Sequence, residues 1–164
     1  MVEPPAPGQA ENVQIESGEA TMSTDNNKLL VQRLYDEVLN QQRTGSLVEL
    51  ATQDYAEHDP VPGQGDGLAG LADRVRLLTS AFAPRFEIQD LVAEGDRVVV
   101  RWTNTGTHVG EFAGISPTGR SFQIAGIDVY RIESGRLAEH WHVIDELRLL
   151  QQIGVIPTFD DAPA

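Results

Sequence analysis

Three ionisable side chains in the second half of the chain have types and a spacing suited to acid–base chemistry. Asp128 lies in one run of alternating apolar residues, and His140 and His142 lie two residues apart in the next run. A three-residue turn at 133–135 predicts a hairpin in which Asp128 lies opposite His140, with His142 as the diagonal neighbour on the same face. A carboxylate orients a neighbouring imidazole and raises its basicity, so such a histidine can remove a C–H proton near neutral pH.

This arrangement depends on the pairing register of the hairpin. A two-residue turn would shift the pairing by one residue and place Asp128 opposite Trp141. A structural Asp–His pair in a polar cavity wall is the alternative to catalysis, although three ionisable groups on a half-buried face are costly without a purpose. Asp145 can support His142, act on a substrate, or only cap the helix that follows.

Other polar side chains are candidates for contact with a substrate. His58 lies in a loop near the expected cavity mouth, where an exposed position without a role is the alternative. His108 ends a long predicted strand, and a structural link to the loop in the 110s is favoured for it. Tyr130 shares the predicted face of Asp128, so its hydroxyl can enter the cavity.

Arg101 and Trp102 are adjacent on one predicted strand and therefore point to opposite faces of the sheet. An inward Arg101 would bind a substrate carboxylate or an enolate oxygen, whereas an outward one would form a salt bridge, for which Glu139 is a candidate. Trp141 is a candidate for substrate binding, although packing or an interface suits it better.

Two histidines at i, i+2 do not make a secure zinc or iron site, so no metal and no other cofactor is expected.

Composition limits the classes of protein to consider. The 164 residues predict one domain, and the formal net charge of −13 disfavours nucleic acid as a partner. No apolar run approaches the roughly 20 residues of a membrane span, so no membrane partner is expected. The absence of cysteine excludes disulfides and thiolate nucleophiles and fits a cytoplasmic location.

The chain divides into a terminal extension, one domain and a tail. Residues 1–25 are acidic, rich in Pro and Gly, and predict a disordered extension, followed by a single domain over 26–157 and a disordered tail over 158–164. Apolar spacing predicts helices from about 27 to 39, over 47–51 and from 68 to about 83, the first capped by Asp25 or Asn26 and the second by Ser46. The segment 57–67 carries two prolines and three glycines and predicts a loop that forms a flap over the pocket.

The second half of the chain predicts strands. These cover residues 85–94, 97–108, 122–133 and 137–144, and a short helix over 146–153 follows them. Helices first and an antiparallel sheet second indicate an α+β architecture, with helices packed on one face of the sheet.

The strings GTHVGEFAGISPTGRSF and IDVYRIESGRLAEHW, followed by QQIGVIP, resemble the SnoaL-like polyketide cyclases, a family within the nuclear transport factor 2-like fold. The resemblance covers about residues 27 to 157. It implies a cone-shaped curved antiparallel sheet, wrapped by about three helices around an interior cavity. It also implies a homodimer or a higher homo-oligomer through the outer sheet face, where Ile127 and Val129 would lie.

The resemblance implies ring closure by an intramolecular aldol condensation of a hydrophobic carbonyl compound, without a cofactor. The aspartate that serves as the family's base matches His142, and the family's interior histidine matches Asp128, so the two types have changed places. We therefore expect His142 to be the base, Asp128 its partner, and His140 or Arg101 the oxyanion donor. Epoxide opening, shape-guided cyclisation and a non-catalytic binding module remain alternatives, because the fold hosts all of these functions.

Overall fold

The structure is a computed structural model that describes residues 23–158. The first helix, α1, spans Thr24–Arg33 and continues as a π-helix over Leu34–Asn40. A 3-10 turn at Thr44–Ser46 leads into α2, Leu47–Leu50, while α3 spans Gly67–Phe82 and α4 spans Glu146–Gln152. The predicted extension up to residue 22 and the predicted tail from residue 159 lie outside the described residues.

Five strands form one open, mixed sheet. They are β1, Ala51–Glu57; β2, Arg85–Glu94; β3, Arg97–Thr107; β4, Ser121–Glu133; and β5, Arg136–Ile144. The strand order is β1-β5-β4-β3-β2, in which β1 runs parallel to β5 and every other pair is antiparallel. The α+β class is confirmed, whereas the fully antiparallel sheet is wrong at the β1 edge.

Strand β1 was not predicted because its burial does not alternate. Of its seven residues, Ala51 and Tyr55 are the buried ones, and the register against β5 is irregular between Ala51 and Ala56. Period-two patterning, which is the main signal for a half-buried strand, is therefore missing. Its last residue is Glu57, which the sequence had placed in a loop.

The N-terminal helix packs its apolar side against the concave face of the sheet. Val31, Leu34, Tyr35 and Val38 are almost fully buried. Ser23 caps α1 by accepting a hydrogen bond from the backbone of Asn26, because Ser23 has an extended backbone and precedes the first helical turn. The predicted caps Asp25 and Asn26 instead lie inside the helix, and Ser46 makes no capping hydrogen bond at α2.

Alternation along β3 and β4 is regular and decides which side chains face the helices. Even-numbered residues from 98 to 104 on β3 and from 122 to 132 on β4 point inward and are buried. Odd-numbered residues on these two strands point to the outer face. In the described part of the chain no helix is both long enough and apolar enough to cross a membrane.

The β4–β5 hairpin differs from its predicted register. The turn has two residues, Ser134 and Gly135, both with positive φ, as in the common tight hairpin turns. Such a turn alone would place Asp128 opposite Trp141, but the register shifts beside Ala138, an extra residue on β5. Asp128 therefore lies opposite His142, not opposite His140, and the histidines remain on the inward face.

Candidate active site

The concave face of the sheet and the helices enclose a cavity of about 350 Å³. This volume is within the range of pockets that hold small organic molecules. Much of the wall is apolar, and it includes Leu78, Phe82, Phe86, Trp102, Phe112 and Phe122. A polar cluster interrupts this wall at the β4–β5 side, where Asp128, Tyr130, His140 and His142 reach the cavity.

His140 lies between two carboxylates. Its Nδ1 is 2.8 Å from Glu57 Oε2, and its Nε2 is 3.5 Å from Asp128 Oδ1. Burial alone would lower the pKa of His140, but Asp128 and Glu57 outweigh burial and raise it to about 9. His140 is therefore an imidazolium at neutral pH.

Asp128 is buried and accepts hydrogen bonds from two tyrosines. The hydroxyls of Tyr35, on the π-helical turn, and Tyr130, on β4, both donate to Asp128 Oδ2, the latter at 3.2 Å. Burial tends to raise the pKa of Asp128, but His140 and Tyr35 lower it below its ordinary value. Burial and nearby negative charge raise the pKa of both tyrosines well above the ordinary value, so both remain neutral donors.

Glu57 lies behind the two histidines. Its parallel pairing with His140 brings its carboxylate to that ring, while its Oε1 is 3.8 Å from His142 Nδ1. Arg74 Nη1, from α3, is 3.6 Å from Glu57 Oε2. The Glu57 side chain is 5% exposed, and burial alone would raise its pKa, but the histidines and Arg74 lower it to about 2.

His142 lines the cavity with a side chain that is 13% exposed. Its ring stacks on His140 with the centroids 5.2 Å apart, and its backbone N–H donates to Asp59 Oδ2 at 2.9 Å. Its buried Nδ1 makes no hydrogen bond within residues 23–158 and faces Glu57 Oε1. The arrangement places a carboxylate on the far side of an imidazole that borders the cavity, and it is suited to a general base.

Glu57, His140 and His142 could also hold a metal ion, because their ligand atoms lie within 4.8 Å of one another. An ion would have to displace a proton that His140 holds with a pKa of about 9. It would also lie close to the positive charge of Arg74. These two features favour a protonated cluster over a metal centre.

A family model described as SnoaL-like polyketide cyclase matches residues 29–153, most of the chain. This chain belongs to the SnoaL-like polyketide cyclase family. The match includes every strand and helix that surrounds the cavity apart from the start of α1.

The cyclase is similar to proteins of several Streptomyces. It is 29% identical over 132 residues to the aklanonic acid methyl ester cyclase DauD of Streptomyces sp. (strain C5), covering 76% of this chain and 80% of DauD. The aklanonic acid methyl ester cyclase DnrD of Streptomyces peucetius is also 29% identical over 132 residues, with 76% and 88% covered. The structure of TsrD from Streptomyces laurentii superposes with a TM-score of 0.75 at 29% identity, covering 82% of this chain and 99% of TsrD.

Four of the residues proposed from the sequence meet at the cavity of the cyclase. Asp128, Tyr130, His140 and His142 all point inward, although their pairing differs from the predicted one. Asp128 contacts His140 directly, whereas the carboxylate nearest His142 Nδ1 is Glu57. The partner expected for His142 is therefore corrected from Asp128 to Glu57.

Arg101, Trp141 and His58 lie outside the cavity. Arg101 forms a salt bridge with Asp90 on the outer face, which corrects both its inward placement and the suggested partner Glu139. Trp141 also faces outward, where His58 stacks on its indole at 4.3 Å. Alternation on β3 and β5 explains both positions, because Arg101 and Trp141 are each one residue from an inward side chain.

Asp145 and His108 make structural contacts. Asp145 is exposed and caps α4 by accepting a hydrogen bond from the backbone of Arg148 at 3.1 Å. His108 is fully buried, and its Nδ1 accepts a hydrogen bond from the backbone N–H of Thr118 at 3.3 Å. His108 thus holds the loop in the 110s, and neither residue lines the cavity.

Residues at or behind the cavity wall that the sequence did not indicate as candidates include Tyr35, Glu57, Arg74 and Asn104. Tyr35 lies on the apolar face of the first helix, where its pattern indicates packing and conceals a polar contact. Glu57 could have been found only by recognising a strand that ends in YAE and runs parallel to β5.

Proposed function

We propose that this cyclase closes a ring by intramolecular aldol condensation, with His142 as the general base. The observation that carries the proposal is the position of His142, an imidazole at the cavity wall backed by the carboxylate of Glu57. The names of DauD and DnrD suggest a methyl ester as the class of substrate, and the family description suggests a polyketide. The apolar and aromatic walls of the cavity support a hydrophobic substrate of this kind.

The neighbours of His142 are poorly suited to remove a proton. Glu57 has a pKa of about 2, and the pKa of Asp128 is also lowered, so both carboxylates are weak bases. His140 is already protonated at neutral pH. Elimination therefore leaves His142 as the base within the cluster.

The steps can be assigned to named side chains. His142 takes a proton from the substrate carbon that lies between two carbonyls, and an enolate forms. The His140 imidazolium stabilises the enolate oxygen by its positive charge, which Asp128 and Glu57 maintain at neutral pH. The enolate carbon then forms a bond to a second carbonyl carbon, and the resulting alkoxide takes the proton back from His142. The product is an isomer of the substrate, and the proposal includes no cofactor.

The central test compares wild type with His142→Ala on an aromatic methyl ester that carries a 1,3-dicarbonyl side chain. We expect kcat to fall by about 10²-fold or more while binding is retained. His58→Ala is the matched control, since His58 lies on the outer face, and it should keep wild-type kcat.

Two results would contradict the proposal. If His142→Ala retains wild-type kcat, His142 is not the base. If wild type binds these esters and does not turn them over, aldol closure fails, and epoxide opening or simple ligand binding becomes the better interpretation.

The proposal extends to assembly and location. Val99, Ile127 and Val143 are exposed on the outer sheet face, where a second copy of this chain would cover them. We propose a homodimer through this face.

A cytoplasmic location fits a chain without cysteine.

A further inference from the structure

Strand β3 carries two buried polar side chains into the cavity, and the nearer of them, Trp102, comes close enough to Asp128 to help lower the pKa of that carboxyl. Asn104 is 8% exposed and Trp102 is 3% exposed, and both line the cavity. Neither Asn104 Oδ1 nor Trp102 Nε1 makes a hydrogen bond with any residue from 23 to 158. Buried polar atoms are nearly always hydrogen-bonded, so an acceptor and a donor without partners in one cavity point to groups supplied by a ligand.

The register gives the positions of these atoms relative to the cluster. On β4, Asp128 lies opposite Val100, Gly126 opposite Trp102, and Ile124 opposite Asn104. At about 3.4 Å per residue, Asn104 lies about 14 Å along β3 from the level of Asp128. Trp102 lies between them and its indole helps to lower the pKa of Asp128, so Asn104 is the polar side chain of β3 that lies farther from the cluster.

The indole of Trp102 is held in place on two sides. Phe86 packs edge-on against it with the centroids 5.2 Å apart. On the other side the indole lies against Gly126, where any Cβ would clash with the ring. The direction of Nε1 is therefore fixed by packing, as expected of a group that selects a ligand.

We propose that Trp102 and Asn104 form a distal subsite for a hydroxylated aromatic ring of the substrate. Asn104 Oδ1 accepts a hydrogen bond from a phenolic or enolic hydroxyl, and Trp102 Nε1 donates to a ring carbonyl nearer the cluster. Phe86 and Ile124 flank Asn104 on the neighbouring strands and contribute apolar surface for the ring. This inference rests on the proposed function in one respect, since it assumes that the ring that closes lies at His142.

Such a subsite makes Asn104 a determinant of specificity. A site built to hydrogen-bond a hydroxyl rejects an analogue without it, because the buried acceptor is then left unpaired. We expect the cyclase to bind a hydroxylated ring system at least about tenfold more tightly than the methyl ether of the same compound.

Binding can be measured with the indole inside the cavity as the reporter. The chain has two tryptophans, so Trp141→Phe leaves Trp102 alone. In this background, fluorescence quenching gives Kd for two probes, an anthraquinone with one hydroxyl on each outer ring and its dimethyl ether. Asn104→Leu should raise Kd for the dihydroxy probe by about tenfold or more and leave Kd for the dimethyl ether within about twofold.

Further variants separate the subsite from general effects on the fold. Thr103→Val, one residue away on the outward side of β3, should leave both Kd values unchanged. Asn104→Ala provides a second truncation if Asn104→Leu folds poorly, and it should show the same preference between probes. The melting temperature of Asn104→Leu should match or exceed that of wild type, because Asn104 Oδ1 has no protein partner to lose.

The outcomes distinguish this inference from the proposed function. Equal Kd changes for both probes, or no change for either, would overturn the distal subsite even if turnover depends on His142. A preference that depends on Asn104, in a protein that turns over no ester, would overturn aldol closure and leave the subsite standing. With a reactive substrate, Asn104→Leu should raise KM and change kcat little.

Discussion

Glu57 contacts both histidines of the cavity wall and is the residue on which their chemistry depends. Its two oxygens face His140 Nδ1 and His142 Nδ1, at 2.8 Å and 3.8 Å. One carboxylate therefore supports an acid and a base at the same time. In this respect Glu57 has the role that the sequence analysis assigned to Asp128.

Replacing Glu57 should change the pH dependence of the cyclase. In wild type, kcat should fall as the pH rises through about 9, because His140 then loses the proton that stabilises the enolate. Glu57→Gln removes a negative charge that raises the pKa of His140, so this alkaline limb should move down by roughly one pH unit. At neutral pH, kcat should fall about 10- to 100-fold. A pH series of kcat measures both effects.

Glu139→Gln is the matched control, since Glu139 pairs with His58 and Arg131 on the outer face. It should keep the wild-type pH profile. An unchanged alkaline limb in Glu57→Gln would mean that His140 does not supply the essential proton.

The residues of the cluster could be predicted in part because the predicted and observed pairings differ by two residues, and a shift of two leaves each side chain on the same face of the sheet. Asp128, Tyr130, His140 and His142 are all even-numbered, and the extra residue Ala138 offsets the shift that the two-residue turn introduces. The sequence therefore predicts the correct face from an incorrect pairing. Glu57 could not be predicted in the same way, because its contact with His140 depends on parallel pairing between distant segments.

At the scale of elements, Arg74 joins α3 to the loop that follows β1. Its Nη1 donates to Asp59 O at 3.1 Å and to Gln64 Oε1 at 3.3 Å, and it lies close to Glu57. The loop residues Asp59, Pro60, Val61 and Pro62 form part of the cavity wall. The Arg74 guanidinium thus holds the loop that forms part of the cavity wall, and it also places a positive charge beside Glu57, behind the histidines.

Arg74→Met should loosen this loop and weaken substrate binding. Loss of the two hydrogen bonds should increase amide hydrogen exchange across residues 58–66 and raise KM several-fold. Exchange mass spectrometry measures the first effect and steady-state kinetics the second. Arg76→Met is the control, because Arg76 is exposed and pairs with Asp73 within α3. Unchanged exchange in Arg74→Met would show that the loop is held by other contacts.

The long elements were easier to predict than the short ones. Strands β3 and β4 and helix α3 follow their periodic patterns closely, since each buries a regular face, whereas β2 is only half-buried on one face and its register shifts between Ile88 and Asp90. The π-helical turn at Leu34–Asn40 keeps an apolar face, so the sequence pattern does not distinguish it from α-helix. Its geometry depends on tertiary contacts, among them the hydrogen bonds that join the Asn40 side chain to the Phe86 backbone.

At the scale of the whole molecule, the cavity and the outer sheet face are independent surfaces of one sheet. Val143 is 75% exposed and lies opposite Ile127, which is also exposed, while the neighbouring residues Asp128, His142 and Ile144 line the cavity. A change on the outer face can therefore alter assembly and leave the site intact.

Val143→Asp should convert the proposed homodimer to a monomer, because it places a charge in the apolar contact. Sedimentation velocity measures the change, and His142-dependent turnover should persist. Leu29→Asp, at an exposed position on α1, is the control and should remain dimeric. A wild-type protein that sediments as a stable monomer would contradict the dimer.

The junction between β1 and its loop limits how a molecule can enter. His58 stacks on Trp141 from outside the sheet, while the next residue, Asp59, holds the backbone of His142. These two consecutive residues clamp the edge of β5, so a hinge for any opening must lie beyond Asp59. The part of this wall that could move is then the short span of Pro60, Val61 and Pro62, where the two prolines restrict the backbone. A cavity wall that moves so little would favour flat molecules, because they need the smallest opening.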